Sequence, residues 1–170
     1  MSTALYEIKY DEVNESIIEI APNGKTEVIS DEFPSRPIIS PNNLYSSYIA
    51  PLEWEVPGNL YVYDLKNGEN RVCIEPDSHG NIPKFIQWLN NEVLLVLIGF
   101  AHGTVSIGGN LFKYHIIKDE LTQITDYPGE IQVTKIKLTD DFVILSGIKY
   151  IDDILNEFES FEEKIDITTL

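Results

Sequence analysis

Three histidines and a single cysteine carry the most obvious chemical potential in this 170-residue chain. His79 lies in Asp77-Ser78-His79-Gly80, which spells the letters of a hydrolase triad. Contiguous residues cannot easily aim three side chains at one reacting atom, so this stretch reads as a loop. His115 follows Tyr114 in an alternating stretch and reads as surface or packing. His102 sits in the glycine-rich run Gly99-Phe100-Ala101-His102-Gly103-Thr104-Val105-Ser106-Ile107-Gly108-Gly109. A phosphate-cradling loop would need Gly-Lys-Ser/Thr, and this run has no lysine. A nucleophile elbow would need glycine two residues before and after the serine, but Thr104 precedes Ser106. Two readings stay open: a long hairpin loop of no special chemistry, or a recognition loop contacting a partner through His102, Thr104 and Ser106.

A second loop is comparable in position. Ala50-Pro51-Leu52-Glu53-Trp54-Glu55-Val56-Pro57-Gly58 places a tryptophan between two glutamates and two prolines. A tryptophan on a stiff loop suits a binding hot spot or a stacking platform, with Glu53 and Glu55 as flanking contacts. It could equally fold back onto its own sheet. Cys73 lies between Val72 and Ile74 and reads as buried filler. No His/Cys cluster suggests a metal, and Asp140-Asp141 and Asp152-Asp153 lack the alternating spacing and glycine of a calcium loop. Carboxylates are too numerous to nominate a general acid and base. No cofactor and no catalytic residue is expected. An enzyme built on these loops with His102 involved is the least favoured reading.

The elements that position these loops follow from composition and repeats. Hydrophobic residues make up 43% of the chain, enough for a sizeable core in one domain. The formal net charge is −16, which speaks against nucleic acid and anionic membranes as partners. It suits a protein partner, a basic one included. One cysteine permits no intrachain disulfide, and the N-terminal residues show neither a basic stretch nor an apolar one, so a cytoplasmic location is the default expectation.

The repeat is legible. Asn59-Leu60-Tyr61-Val62-Tyr63-Asp64-Leu65 is echoed by Asn110-Leu111-Phe112-Lys113-Tyr114-His115-Ile116. Ser40-Pro41-Asn42-Asn43 precedes the strand Leu44–Ala50, Trp88-Leu89-Asn90-Asn91 precedes Val93–Gly99, and Lys137-Leu138-Thr139-Asp140-Asp141 precedes Phe142–Gly147. Each full unit reads as four antiparallel strands with polar turns, and Asn67-Gly68 predicts a type I′ hairpin turn. The units run about 1–31, 36–75, 83–125 and 132–170, the first and last incomplete. The expected fold is therefore all-β: repeated four-stranded antiparallel meanders forming a small, about four-unit, or partial β-propeller-like domain. An open curved sheet or a β-sandwich is the alternative. An open arc would expose strand edges, which invites self-association.

Ser40-Pro41-Asn42-Asn43 and Leu60-Tyr61-Val62-Tyr63-Asp64-Leu65 resemble the TolB-type propeller repeat. The chain is also similar to a bacterial family of such repeats described as a domain of unknown function. The resemblance implies a propeller that binds proteins or ligands. It assigns no residue a role, since fold does not settle function.

One segment breaks the period of two. Ile151, Ile154, Leu155, Phe158 and Phe161 recur at roughly helical spacing, with Asp152, Asp153, Glu157, Glu159 and Glu162 between them. A helix over 151–163 with one acidic face is predicted, either capping the sheet or docking a basic groove through Asp152, Asp153, Glu157 and Glu159. The functional expectation is a non-catalytic binding module, with an acidic inhibitor or immunity-type protein as the alternative.

Overall fold

In the computed structural model, which describes residues 3–170, the chain is all-β and folds into four antiparallel sheets in chain order. The first holds β1 (Glu7–Asp11), β2 (Ser16–Ile20) and β3 (Thr26–Ser30). The second holds β4 (Ile38–Ile39), β5 (Tyr45–Ala50), β6 (Asn59–Asp64) and β7 (Glu69–Ile74). The third holds β8 (Asn81–Trp88), β9 (Val93–Phe100), β10 (Asn110–His115) and β11 (Glu120–Gln123). The fourth holds β12 (Ile131–Leu138), β13 (Phe142–Tyr150) and β14 (Phe158–Asp166), and a single 3-10 turn follows at Ile167–Thr169.

Period-two burial makes each sheet two-faced, and the sheets stack in series. Ile17 meets Tyr48 and Ala50 between the first and second sheets. Ile49, Leu60 and Val62 meet Trp88, Leu94, Val96 and Tyr114 between the second and third. Leu95, Leu97 and Leu111 meet Val133, Ile136, Val143 and Leu145 between the third and fourth. The third sheet buries both faces, which is why β9 reads as the continuous apolar run Val93-Leu94-Leu95-Val96-Leu97-Ile98 rather than an alternating one. Among the described residues no core cluster joins the first sheet to the fourth, so the stack is an arc with no closed sheet.

Tight polar turns join the strands at one edge of the arc. Asn42 Oδ1 accepts from Leu44 N, Asn90 Oδ1 from Glu92 N and Val93 N, and Thr139 Oγ1 from Phe142 N. These are side-chain-closed turns, for which asparagine and threonine are suited. The turn after β6 differs from the sequence expectation. It is a four-residue connection, closed by Gly68 N donating to Asp64 O at 2.8 Å, and of Asn67 and Gly68 only Gly68 takes positive φ, at 77°. A type I′ pair would need both residues there, whereas this longer turn needs one. Asp119 (φ 55°) takes the Gly68 role after β10, donating its backbone N–H to His115 O, while its carboxylate accepts from Tyr114 Oη at 2.6 Å. Aspartate tolerates the left-handed region through such local bonding.

The helix over 151–163 does not form. Residues 152–155 turn, and β14 pairs residue for residue with β13 from Tyr150↔Phe158 to Phe142↔Asp166. Phe161 and Ile165 pack on the core between the third and fourth sheets, while Glu163, between them on the same face, accepts from Tyr127 Oη. The glutamate hides the period of two that would mark a strand, and pairing with a long neighbouring strand overrides the accidental helical spacing.

Candidate functional site

The opposite edge of the arc is built quite differently. Here the connections β1–β2 (12–15), β5–β6 (51–58), β9–β10 (101–109) and β13–β14 (151–157) emerge. The two longest touch directly, and further bonds tie them to neighbouring elements. Glu55 Oε1 accepts from Gly103 N at 2.7 Å, so the Trp54 loop and the His102 loop are joined directly. Tyr150 donates its hydroxyl to Val105 O at 3.0 Å, joining the His102 loop to the fourth sheet. The linker before β4 joins as well, through Leu52 N to Phe33 O at 2.8 Å.

Each connection leaves large apolar side chains in water. Val13 is 89% exposed, Trp54 63% and Ile154 79%, with Leu52, Ile107 and Ile151 also exposed. Sequence reasoning nominated Trp54 and placed Ile151 and Ile154 on an apolar helix face, but did not single out Val13, Leu52 or Ile107, which lie among loop residues with no period to mark them. Trp54 does not fold back onto its sheet; it lines a cavity of about 220 Å³ with Leu52, Ile82, Ser106 and Ile107. An adjoining open cleft of about 710 Å³ runs from Val105 and Ser106 to Tyr150, Asp152 and Asp153.

Of the nominated residues, Glu53, Trp54, Glu55 and Ser106 share the smaller cavity. His102 is exposed and stands edge-on to Phe100, ring centroids 5.5 Å apart. Thr104 is exposed nearby and lines neither cavity. Asp152 has a local task, its Oδ1 accepting from Asn156 N and Glu157 N to close the turn. Asp153 and Glu157 are exposed on that same connection, whereas Glu159 sits on β14 opposite Lys149. Asp77, in the triad-like tetrapeptide, accepts from His79 N, Asn81 N and Asn81 Nδ2, and these bonds hold its carboxyl below the usual range.

The residue that sequence reading overlooked altogether is Lys84. It is half-buried below the two loops and donates to Ser106 O at 2.5 Å and Gly108 O at 3.1 Å. Burial pushes its ammonium down to about 8. It lies at an irregularity in the β8–β9 pairing, between Pro83 and Phe85, and such a bulge can re-aim a side chain. The loop root is also fixed by Gly108. A Cβ there would stand 2.1 Å from Val133 O, so only glycine lets the third and fourth sheets approach this closely. Among the described residues no group of three or more His, Cys, Asp or Glu is placed to hold a metal ion, and no helix is long and apolar enough to cross a membrane. Burial raises the Cys73 thiol above its ordinary value, which works against thiolate reactivity.

The family model described as Domain of unknown function (DUF4652) matches residues 40–169. The chain belongs to that family. A search of curated proteins finds no match. Among solved structures, a candidate conserved lipoprotein of Clostridium novyi NT is 29% identical, with a TM-score of 0.71, over 78% of this chain and 86% of that one. The β-propeller domain of the Trilobed protease from Pyrococcus furiosus is 13% identical with a TM-score of 0.55, over 97% of this chain and 55% of that one. TolB from Acinetobacter baumannii is 13% identical with a TM-score of 0.50, over 94% of this chain and 38% of that one. The last two likenesses speak to fold, and this DUF4652 chain spans about half or less of either propeller.

Proposed function

We propose that this DUF4652 chain is a non-catalytic protein-binding module whose recognition edge is the loop edge, centred on Trp54. The observation that carries this is the 63%-exposed indole in a row of exposed apolar side chains on loops tied to one another. Tryptophan gives large contact area for little lost freedom, and a row of such anchors with a charged rim is how interface cores are built. Glu53, Asp153 and Glu157 supply an acidic rim, so the complementary partner surface is apolar with basic residues around it.

The test is affinity capture from source-cell lysate with wild type and Trp54→Ala as paired baits. A partner that survives high-salt washing on wild type and is lost on Trp54→Ala supports the reading. A partner held equally by both baits contradicts it. The acidic inhibitor reading rests on the same exposed carboxylates and forecasts a basic partner released as salt rises, whatever stands at Trp54. The likeness to a candidate lipoprotein favours the cell envelope over the cytoplasm as the place of encounter, which fractionation of the source cells would decide.

A further inference from the structure

Among the described residues, the first sheet lacks a strand that the other three possess. Sheets two, three and four each start at an inner strand, β4, β8 or β12. In the first sheet, β2 and β3 flank Pro22-Asn23-Gly24-Lys25 as β6 and β7 flank Lys66-Asn67-Gly68, and Ile17 faces the second sheet as Leu60 faces the third. β1, β2 and β3 are thus counterparts of β5, β6 and β7, and among the described residues nothing occupies the β4 position beside β1, which pairs with β2 alone.

In that position lies a groove of about 570 Å³, lined chiefly by Tyr6, Ile8 and Tyr10 on one side and Arg36, Ile39 and Ser46 on the other. The wall is apolar where a strand would rest. Ile39 is 54% exposed, whereas Trp88, its counterpart on β8, is 4% exposed because it packs on the second sheet and donates its indole N–H to Ile38 O. The difference is the absent neighbour. Arg36 spans the end of the groove, its guanidinium 4.7 Å from the Tyr10 ring centroid and paired with Glu12.

We propose that this groove receives an extended segment of a partner protein as an added strand, antiparallel to β1, with apolar residues toward Ile39 and lysine or arginine residues toward solvent. The internal template dictates an extended backbone, since this chain fills the equivalent place three times with its own strands. One-sided packing dictates the alternation. β12, in the other terminal sheet, shows it: Ile136 is buried in the core while Lys135 and Lys137 are exposed. The net charge of −16, with Glu7 on the groove wall, favours basic outward residues. A free strand edge beside apolar pockets is the arrangement by which peptides add to sheets.

The test uses the whole protein and a synthetic peptide of residues 133–139, Val-Thr-Lys-Ile-Lys-Leu-Thr, which spans most of β12, titrated by calorimetry. Saturable binding is expected, weakened at least tenfold by N-methylation of alternate peptide amides, which removes strand hydrogen bonds and keeps the side chains. Ile39→Asp, at an exposed position, should abolish binding with the melting temperature retained, and Trp54→Ala should leave it unchanged, separating this groove from the loop edge. Absence of saturable binding, or equal affinity for the N-methylated peptide, would overturn the proposal. So would a concentration-dependent dimer that Ile39→Asp dissolves and the peptide does not compete, since a second copy would then hold the groove.

Discussion

The two edges of the arc use the same strands and opposite chemistry. On the turn edge, connections are short and mostly polar, Ile117 being the exposed exception, and Asn42, Asn90 and Thr139 accept from N–H groups two or three residues on. On the loop edge, connections run to nine residues, bond to neighbouring elements as well as to themselves, and leave tryptophan, valine and isoleucine in water. A turn that satisfies its own polar groups needs nothing from outside. A loop that exposes apolar side chains held in place by its neighbours keeps a surface that burial by a partner would stabilise. The contrast teaches that the repeat supplies the scaffold and that only one edge departs from what the scaffold requires.

The root of the loop edge is the place most sensitive to substitution. Gly108→Ala should cost on the order of 3 kcal/mol, because its Cβ would clash with the Val133 backbone; chemical denaturation measures this, and a loss near zero would mean the loop root is pliable. On the turn edge, Gly68→Ala should cost about 1–2 kcal/mol, because its φ of 77° disfavours any other residue and a Cβ would stand 2.7 Å from the Tyr6 ring, seen as a lower melting temperature with binding at the loop edge intact. A loss of binding there would show that the edges are coupled.

Lys84 gives a smaller, pH-dependent effect. Its folded-state value of about 8 lies below the ordinary lysine value, so between these limits the unfolded chain holds a proton that the folded chain has released. The penalty for burying this ammonium is full below about pH 8 and is relieved as pH rises above it. The melting temperature of Lys84→Met relative to wild type should therefore fall as pH rises from 8 to 10, and a pH-independent difference would mean Lys84 is solvated. Smallest of all is the stability change of Trp54→Ala, within about 0.5 kcal/mol as for other surface substitutions. A larger loss would make Trp54 part of the core.

Much of this was readable in advance, for physical reasons. The repeated Asn-Leu-aromatic stretches and the polar turns fixed β5 to β7 and β8 to β11, because local turn chemistry and period-two burial agree there. β14 was not readable, since Glu163 interrupts its apolar face and its strand character comes from β13, which lies outside the segment itself. Both nominated loops do meet on one edge, as a shared place in a repeat requires. Lys84 stayed hidden because a lone lysine in a strand looks like surface until the fold places two carbonyls over it. The groove beside β1 has no local mark in the sequence, because it is a strand position that only the neighbouring sheets define.

The most direct test of the central claim compares partner affinity for Trp54→Ala, on the loop edge, with that for Lys118→Ala, on the turn edge, using the captured partner in high salt. The loop-edge change should weaken binding at least tenfold and the turn-edge change should leave it within twofold. Equal effects, or the reverse order, would contradict the assignment of recognition to the loop edge.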